Sequence, residues 1–544
     1  MKSNQYWKDR ANERMAEYHK NSDETVFKIN NAYDKAIEDI NNDINKIFYK
    51  FATDGELSET DTRILLNSKI PKKELDEIRA KINFIEDADL KKYLMSQLNT
   101  DAYKARITRL EALKESIYIN TKKAADVELQ QSQLGYINNI KESYYRNIYD
   151  IQKGTGIVTD FATLPVNAIE EILKNNWSGK HYSERVWGNS DVLASKLEEV
   201  VTSGLMSGKS SKKMAAELEE LSTYGKMAAE RLVRTETTYV TNMAELESYK
   251  ELDIDKYIFV ATLDLRTSPM CREMDGKIIE VSKGIPGENL PPLHPWCRST
   301  KRAYFEGMTR RRRARDPETG KNYIVEEMDY KEWYQKCVVD KYGEQKAETF
   351  QKMIKNKASD RKQYESYREI LGKESPKTLK DFQDLKYNNI EEWKLTKYNY
   401  KLRKEVIANP NVILNNADKF EVNENKYLKY IFGGENKDGL AKGRAIESRL
   451  GYNKDNYKEF DKLIKTNIGR YPARHKESTP HGEKYEVNMV VRGLKGKQAK
   501  VLVGVMDNGI PKLTTVHIDK LKESDLMYEW TSNWRVWCCK IERW

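Results

Sequence analysis

The sequence predicts a mainly α-helical protein that carries a small loop-rich α+β module near residues 225–305 and a C-terminal α+β domain with an antiparallel sheet. Two observations support this fold class. Apolar residues recur every three or four positions through most of the first 250 residues, where Gly and Pro are scarce until residue 154. Runs rich in β-branched and aromatic residues, bounded by turn residues, predict strands at residues 254–264 and 277–281 and again after residue 480.

Composition limits the classes of protein to which the chain can belong. A length of 544 residues predicts about three or four domains. No run of about eighteen apolar residues occurs, so we expect no transmembrane helix. Five cysteines, two of them adjacent, do not form a disulfide framework. We therefore expect a protein built for a reducing compartment.

The first predicted domain, residues 1–150, consists of long amphipathic helices. Between residues 24 and 51, apolar side chains follow helical spacing: Val26, Ile29, Tyr33, Ile37, Ile40, Ile44, Ile47 and Phe48. Such a stripe is typical of a helix that packs against other helices. No catalytic pattern is visible in this region.

A second helical block spans residues 155–250 and opens the predicted core domain, 151–307. Turn residues predict helix breaks at WSGK, WGNS and SGKSS, and Asn189, Ser190 and Asp191 offer N-cap chemistry for a helix starting near Val192. The last helix holds Arg234 and Glu236. Residues two apart cannot pair on one helix face, so we expect both to bond to the loop that follows.

That loop, DLRTSPMCREMDGKIIEVSKGIPGENLPPLHPWCRST at residues 264–300, contains a candidate metal site. Cys271, His294 and Cys297 supply two thiols and one imidazole, the ligand types of a structural zinc site. A tetrahedral site needs a fourth donor, and Asp264 and Asp275 are the nearest oxygen candidates. A packed loop with two free thiols is the alternative. A cysteine–histidine catalytic pair is less favoured, because no oxyanion donors are evident.

Several strings resemble the Mu-F-like minor head, or head morphogenesis, proteins of tailed phages: WSGKHYSERVW, RTETTYVTN, DLRTSPMC with DGK, and PPLHPWCRST. The resemblance extends over about residues 1–400. It implies a virion component inside the capsid, made in the host bacterial cytoplasm. The implied partners are portal, capsid and scaffold proteins with packaged DNA nearby, and the implied roles are assembly, DNA packaging or DNA delivery.

The resemblance also implies which residues carry the family's motif. Besides the three candidate ligands, these are Arg234, Glu236, Asn242, Asp264, Arg266, Thr267, Asp275, Gly276, Pro295 and Arg298. Many members have another cysteine where this chain has Ser268. Serine is a poor ligand for a soft cation, so this difference argues against tight zinc binding.

Residues 308–400 are predicted to form an arginine-rich linker and a helical extension. The run Arg310, Arg311, Arg312 and Arg313 is followed, after two intervening residues, by Asp-Pro. A solvated linker is the favoured interpretation. Contact with packaged DNA is the other, because each arginine that neutralises a phosphate releases counterions.

The last predicted domain, 401–544, is basic, with 28 Lys+Arg against 19 Asp+Glu. Helical segments are followed by three strand-like runs, 483–494, 497–508 and 512–519, separated by the turn signals LKGK and DNG. We expect a three- or four-stranded antiparallel sheet. The charge favours a polyanionic partner or serves solubility.

The same domain resembles small C-terminal modules of phage and polymorphic-toxin proteins, some of them similar to barnase- or colicin-type ribonucleases. A histidine that transfers a proton, beside a cation, suits RNA cleavage. The candidate catalytic residues are Arg474, His475, His481, Tyr485, Thr515 and His517, and alternation along a strand should place Thr515 and His517 on one face. The sequence thus predicts a structural virion protein, and the alternative is a carrier of a ribonuclease-like effector that acts on RNA.

Overall fold

The computed structural model describes residues 4–51, 59–100, 107–157, 159–306 and 311–526. The chain divides into two compact units, residues 1–343 and 344–544. Within the described residues, no helix combines the length and the apolarity needed to cross a membrane. The mainly helical class with a C-terminal α+β unit is confirmed.

Long helices build most of the first unit. Their bounds are α1 Asn4–Phe51, α2 Glu59–Leu66, α3 Lys72–Ile82, α4 Ala88–Asn99, α5 Arg109–Thr155, α6 Val166–Lys174, α7 Tyr182–Met206 and α8 Ser211–Glu251. From Val26 to Ile47 the predicted stripe of α1 is buried, with Ile29 and Ile40 fully covered, in a core shared with α5, α7 and α8. The side chain of Phe48, the last residue of the stripe, lies outside the described part of the chain.

Local sequence explains where α5 begins and ends. The Thr108 hydroxyl accepts from the Glu111 backbone N–H at 3.3 Å, while the Glu111 carboxylate accepts from the Thr108 N–H at 2.7 Å. This reciprocal capping box satisfies two donors that the first helical turn leaves unpaired. At the other end, Gly156 adopts a left-handed φ of 75°, which a residue without Cβ adopts at little cost.

The predicted break at residues 189–191 is wrong, because α7 runs unbroken from Tyr182 to Met206. Its actual N-cap is His181, which forms a capping box with Glu184. Ser190 is buried inside the helix, donating to the Trp187 carbonyl at 2.7 Å and lying 3.0 Å from Lys122 Nζ. Tertiary partners therefore satisfy a side chain that would otherwise favour a cap.

A small sheet follows α8 and supports the loop region. Its strands, β1 Lys256–Val260, β2 Ile278–Glu280 and β3 Thr300–Ala303, lie antiparallel in the order β2-β1-β3. A short helix, α9 Pro269–Met274, lies between β1 and β2. The predicted strands at 254–264 and 277–281 are confirmed with shorter bounds.

The arginine run continues into a second, two-stranded sheet. Strands β4 Arg312–Arg315 and β5 Asn322–Val325 pair antiparallel, with Arg313 opposite Ile324. An isolated bridge joins β4 to the end of the β1 segment, from Ala314 to Leu263. The prediction of a solvated linker is therefore wrong for residues 312–315. Helices α10 Tyr330–Trp333 and α11 Asp340–Tyr342, joined through a π-helical turn, end the unit.

The second unit packs helices on a four-stranded sheet. The helices are α12 Glu344–Lys355, α13 Lys357–Leu371, α14 Leu379–Asn388, α15 Ile390–Ala408, α16 Lys437–Leu450, α17 Tyr457–Ile468 and α18 Glu523–Leu526. The antiparallel strands, in the order β6-β7-β8-β9, are β6 Ala473–Thr479, β7 Gly482–Arg492, β8 Gln498–Asp507 and β9 Pro511–Ile518. The three predicted strands and both hairpin turns are confirmed, and β6 supplies the fourth strand.

Candidate metal centre

Cys271, His294 and Cys297 come together in the first unit. Their ligand atoms all lie within 4.8 Å of one another, with Cys271 Sγ 3.4 Å from His294 Nε2 and 3.7 Å from Cys297 Sγ. Both cysteines are 1% exposed, and neither forms a disulfide. Among the residues that the structure describes, this is the one group of His, Cys, Asp and Glu side chains with such spacing. The cluster is close enough to hold a metal ion.

A helix turn and a tight turn of the backbone position the three donor side chains. Cys271 lies in the first turn of α9, whose N-cap Ser268 accepts from the Cys271 N–H at 3.3 Å. A tight turn joins the other two donors, since the Cys297 N–H donates to the His294 carbonyl at 3.1 Å. Between them Trp296 adopts a φ of 62°, which is uncommon for a non-glycine residue.

The orientation of the His294 ring suits metal coordination. Its Nδ1 lies 2.7 Å from the Pro295 carbonyl, a contact that places the proton on Nδ1. Nε2 is then left with its lone pair toward the thiols. Metal-binding histidines are commonly held in this way, by a hydrogen bond from the ring nitrogen that does not coordinate. The donor set therefore fits a soft or borderline cation.

The two thiols share their protons unequally. Hydrogen bonding from Cys271, helped by His294, lowers the pKa of Cys297, whereas the same contact and burial raise the pKa of Cys271. The hydrogen bond with Cys297 also raises the pKa of His294. One thiolate is thus favoured even before a cation binds. Thiolate is the form in which cysteine binds metals.

Helix α8 attaches the ligand loop through threonines rather than through its charged residues. Thr235 Oγ1 accepts from the Trp296 N–H at 3.1 Å, and the Thr238 hydroxyl donates to the Cys297 carbonyl at 3.2 Å. Both bonds fix the backbone of the His294–Cys297 turn. Sequence analysis missed these residues, although both lie within the RTETTYVTN string.

The expectation that Arg234 and Glu236 bond to the loop is wrong. Arg234 pairs with Asp23 of α1 and with Glu230, at 2.9 Å in the second case. Glu236 is buried and accepts from the Trp177 indole N–H at 3.1 Å. Burial raises the pKa of Glu236 to about 7, partly offset by the Trp177 hydrogen bond.

Asn242 does contact the strand that follows the ligand loop. Its backbone carbonyl accepts from Lys301 Nζ at 2.7 Å, and its side-chain amide donates to the Thr238 carbonyl at 2.7 Å. Lys301 is fully buried and also lies 3.4 Å from the Glu245 carboxylate. Together these contacts fix β3 against α8.

Asp264 lies outside the donor cluster. Its two oxygens accept from Arg298 at 2.6 and 2.8 Å, in a bidentate pair, and it also accepts from the Arg266 N–H at 2.9 Å. Burial alone would raise the pKa of Asp264, but the Arg298 hydrogen bonds and charge lower it below its usual value. The structure therefore does not support Asp264 as a ligand. It instead fixes the residue that follows Cys297, while the Arg266 side chain is half exposed.

Asp275 and Gly276 shape the other side of the module. Asp275 accepts from the Ala261 N–H at 2.7 Å and binds Arg312 through two bonds of 2.6 and 2.9 Å. Gly276 turns the chain with a φ of 82° and donates to the Phe259 carbonyl at 3.0 Å. These bonds join the β1 segment to the end of α9.

Arg312 is therefore not a candidate for DNA contact. It is buried between Asp275 and the Ala261 carbonyl, whereas its neighbours Arg311 and Arg313 are exposed. Strand alternation separates them, since β4 turns successive side chains to opposite faces. Arg310 lies outside the described residues.

The six candidate catalytic residues of the C-terminal sheet do not form one site. His475 pairs across β6 and β7 with Tyr485, and their rings meet edge to face at 5.5 Å. His517 lies opposite Leu502, which in turn lies opposite Asn488. Tyr485 and Asn488 are three residues apart on the regular strand β7, so they face opposite sides of the sheet. His475 and His517 are thus on different faces and different edges.

The remaining candidates have separate partners. Thr515 shares the face of His517, as alternation predicts, and accepts from Lys442 Nζ at 3.1 Å. Arg474 pairs with both oxygens of Glu405 at 2.6 Å. His475 Nε2 lies 2.6 Å from Glu483, and His481 is exposed in the β6–β7 turn. Burial and the Lys442 charge lower the pKa of His517.

Two family models match parts of the chain. Residues 195–302 match a family model described as "Phage Mu protein F like protein", and residues 413–520 match one described as "Domain of unknown function (DUF6883)". The first match runs from within α7 to β3 and includes all three candidate ligands. The resemblance expected for about residues 1–400 is therefore supported over 195–302.

One curated relative is similar to part of the chain. It is the NAD(+)–arginine ADP-ribosyltransferase EFV of Enterococcus faecalis, 26% identical over 217 residues. The alignment covers 36% of this chain and 42% of the relative's length. No solved structure matches the chain. On the two family matches, the chain carries a Phage Mu protein F like domain at residues 195–302, followed by a DUF6883 domain at residues 413–520.

Proposed function

We propose that this protein is a structural component of a tailed-phage head that acts in head morphogenesis, at the portal vertex and inside the capsid. The match of residues 195–302 to the Phage Mu protein F like family is the observation that carries this proposal. The portal, capsid and scaffold proteins are the partners that such a role requires. Residues 1–400 would then act through assembly rather than catalysis.

The geometry of the cysteine cluster supports a structural role for that domain. Both thiols are buried beneath the Trp296 turn, and α8, α9 and the ligand loop all meet there. We propose that Cys271, His294 and Cys297 hold a zinc ion, because two thiols and an imidazole are typical zinc ligands. The ion would cross-link α9 to the His294–Cys297 turn, in a module whose sheet has only short strands.

The exposed arginines of the β4 ribbon support the proposal of a DNA partner. Arg311, Arg313 and Arg315 are exposed, while Arg312 and Ala314 are buried. Alternate strand residues point to the same face, so the three exposed arginines lie on one side of the segment, and Arg315 also donates to the Gly320 carbonyl at 2.9 Å. Packaged DNA beside the head protein would meet these three side chains.

Analysis of purified phage particles tests the proposed role. We expect peptides from the chain to copurify with portal and capsid proteins in the phage whose genome encodes it. We further expect that deleting its gene lowers the yield of DNA-filled heads. Particles with normal composition and normal yield in the deletion strain would contradict the proposal.

A ribonuclease role for the C-terminal domain is the alternative, and the geometry gives it less support. His475 and His517 face opposite sides of the sheet, so RNA cleavage would require a site other than the six predicted residues. Assays of RNA cleavage by the full chain address this. Cleavage that is lost in both His475→Ala and His517→Ala would restore the predicted site.

We do not infer ADP-ribosyltransferase activity for this chain from its similarity to that relative. The alignment spans 42% of that protein, so a segment is shared and the remaining 58% of the relative lies outside the alignment. We therefore base the proposed function on the family match and on the metal centre.

A further inference from the structure

His19 of helix α1 is the one histidine of the described chain whose two ring nitrogens are both buried without a hydrogen-bond partner. A neutral imidazole has one donor and one acceptor, and leaving either unsatisfied in the interior is unfavourable. The other described histidine of the α-helical region, His181, has partners on both nitrogens, at 2.6 and 2.8 Å. A buried ring without partners therefore calls for a ligand.

Contacts on both sides of His19 locate it beside α8. One turn later, Ser22 Oγ lies 2.8 Å from Thr237 Oγ1, and one turn earlier Arg14 Nε lies 3.5 Å from Glu245. Helix α1 thus runs antiparallel to α8 with this face against it. His19 lies three and four residues before Ser22 and Asp23, and Asp23 pairs with Arg234 of α8. His19 therefore shares the side of α1 that meets Thr237 and Arg234.

That part of α8 is where the metal-ligand loop is attached. Thr238, next to the partner of Ser22, donates to the Cys297 carbonyl. Met15, one turn before His19, lines a cavity of about 430 Å³ together with Arg298 and Thr300. Met15 therefore lies beside the residues that follow Cys297, and Ser22 contacts the neighbour of the threonine that binds the Cys297 carbonyl. His19 lies between Met15 and Ser22 on α1, which places it near the Cys297 segment.

We propose that His19 supplies the fourth ligand of the metal centre and completes a Cys2His2 site with Cys271, His294 and Cys297. The inference rests on the proposed zinc site and adds to it a ligand from a helix more than 250 residues away in sequence. The His19 ring is not among the side chains whose ligand atoms lie within 4.8 Å of one another. Coordination therefore requires the ring to turn toward Cys297. The bond would satisfy one orphaned nitrogen and close the site against water.

A fourth ligand from α1 would replace the donor that is missing because Ser268 stands where many family members have a cysteine. Its hydroxyl is already engaged as the N-cap of α9, and serine binds zinc poorly. Of the two oxygen candidates, Asp264 is held by Arg298 and Asp275 by Arg312. A closed site of two thiolates and two imidazoles is a common structural zinc arrangement. The ion would then fasten α1 to the loop module as well as closing the loop on itself.

Cobalt(II) titration of the full chain tests this assignment, because tetrahedral thiolate-bound cobalt absorbs strongly in the visible range and its charge-transfer intensity counts thiolates. We expect His19→Ala and His19→Gln to weaken cobalt binding at least tenfold, a loss on the scale of removing one group that supports a metal site. His19→Cys should restore the affinity and raise the charge-transfer intensity by about half, as two thiolates become three. His181→Gln is the matched control and should bind as the wild type does.

The outcomes separate the two proposals. Unchanged affinity in His19→Ala and His19→Gln, with no added charge-transfer intensity in His19→Cys, would overturn the role of His19 and leave a three-residue centre. Absence of cobalt binding to the wild-type chain would overturn both. Circular dichroism of each variant identifies any that fail to fold, and His19→Cys still tests the assignment if His19→Ala is one of them.

Discussion

Arg312 and Asp275 form the buried ion pair that holds the β4–β5 ribbon against the small module. Removing one partner of such a pair leaves an uncompensated charge in the interior, at a cost of about 3–5 kcal/mol. We expect Arg312→Ala to lower the free energy of unfolding of the first unit by this amount, measured by urea denaturation. Arg313→Ala, on the exposed face of the same strand, should change it by about 0.5 kcal/mol or less. Equal effects of the two substitutions would contradict the assignment.

Glu236 gives the first unit a dependence of stability on pH. Burial raises the pKa of its carboxyl from 4.5 to about 7, so between these values the unfolded chain releases a proton that the folded chain keeps. Stability contributed by the protonated form is therefore complete below pH 4.5 and is lost as pH rises to about 7. Glu236→Gln keeps a neutral acceptor for Trp177 and should remove this loss.

The measurement compares wild type and Glu236→Gln by urea denaturation at pH 4.5 and pH 7.5. From pH 4.5 to pH 7.5, the free energy of unfolding of Glu236→Gln should rise relative to that of the wild type by on the order of 3 kcal/mol. This follows from the difference of about 2.5 between the folded and unfolded pKa of Glu236. Glu220→Gln, at an exposed position on the same helix, should follow the wild type at both pH values. A constant difference between Glu236→Gln and wild type would contradict the buried, protonated carboxyl.

At the scale of elements, the exposed arginines of the β4 segment are the proposed DNA contacts, whereas the buried Arg312 stabilises the fold. Changing Arg311, Arg313 and Arg315 together to alanine should weaken DNA binding and reduce the salt slope of the affinity by about three, at roughly 0.9 for each lost phosphate contact. Electrophoretic mobility shifts at several salt concentrations provide the slope. Alanine at the exposed Lys72, Lys73 and Lys92 is the matched control, and it should leave the slope unchanged. Equal slopes in the arginine variant and the wild type would exclude this surface.

Elements with a strong local pattern were predictable from the sequence. Helical periodicity was enough to predict the apolar stripe of α1, and strand-like composition with turn residues was enough to predict β7, β8 and β9. The arginine run gave no such signal, because what fixes β4 is the pairing of Arg312 with Asp275, 37 residues earlier. The continuity of α7 through Ser190 depends in the same way on Lys122, from another helix.

The candidate site was predictable only in part, for the same physical reason. Residue type identified Cys271, His294 and Cys297, and the structure brings them together. Residue spacing does not predict the ion pair between Asp264 and Arg298. It also does not predict the hydrogen bonds from the threonines of α8 to the loop, because both depend on tertiary contacts. The separation of His475 from His517 could not be predicted, because it depends on the order in which the four strands pair. Alternation within one strand does not reveal that order.

At the scale of the whole molecule, the metal is expected to stabilise the first unit alone. Its three candidate ligands all lie within residues 1–343, and those residues form a compact unit with its own core. Hydrogen exchange of the full chain, read by mass spectrometry, should show that a zinc chelator removes protection from residues 256–303. Protection in the sheet at residues 473–518 should not change. Loss of protection in both units would mean that the effect is not local to the centre.

The metal content of the purified full chain tests the central claim most directly. We expect one zinc ion more per wild-type chain than per chain with Cys271→Ser and Cys297→Ser, measured by elemental analysis after removal of loosely bound metal. Replacing the half-buried Cys337, which lies outside the cluster, by serine should leave the content at the wild-type value. The same zinc content in the wild type and the double variant would contradict a metal centre in the Phage Mu protein F like domain.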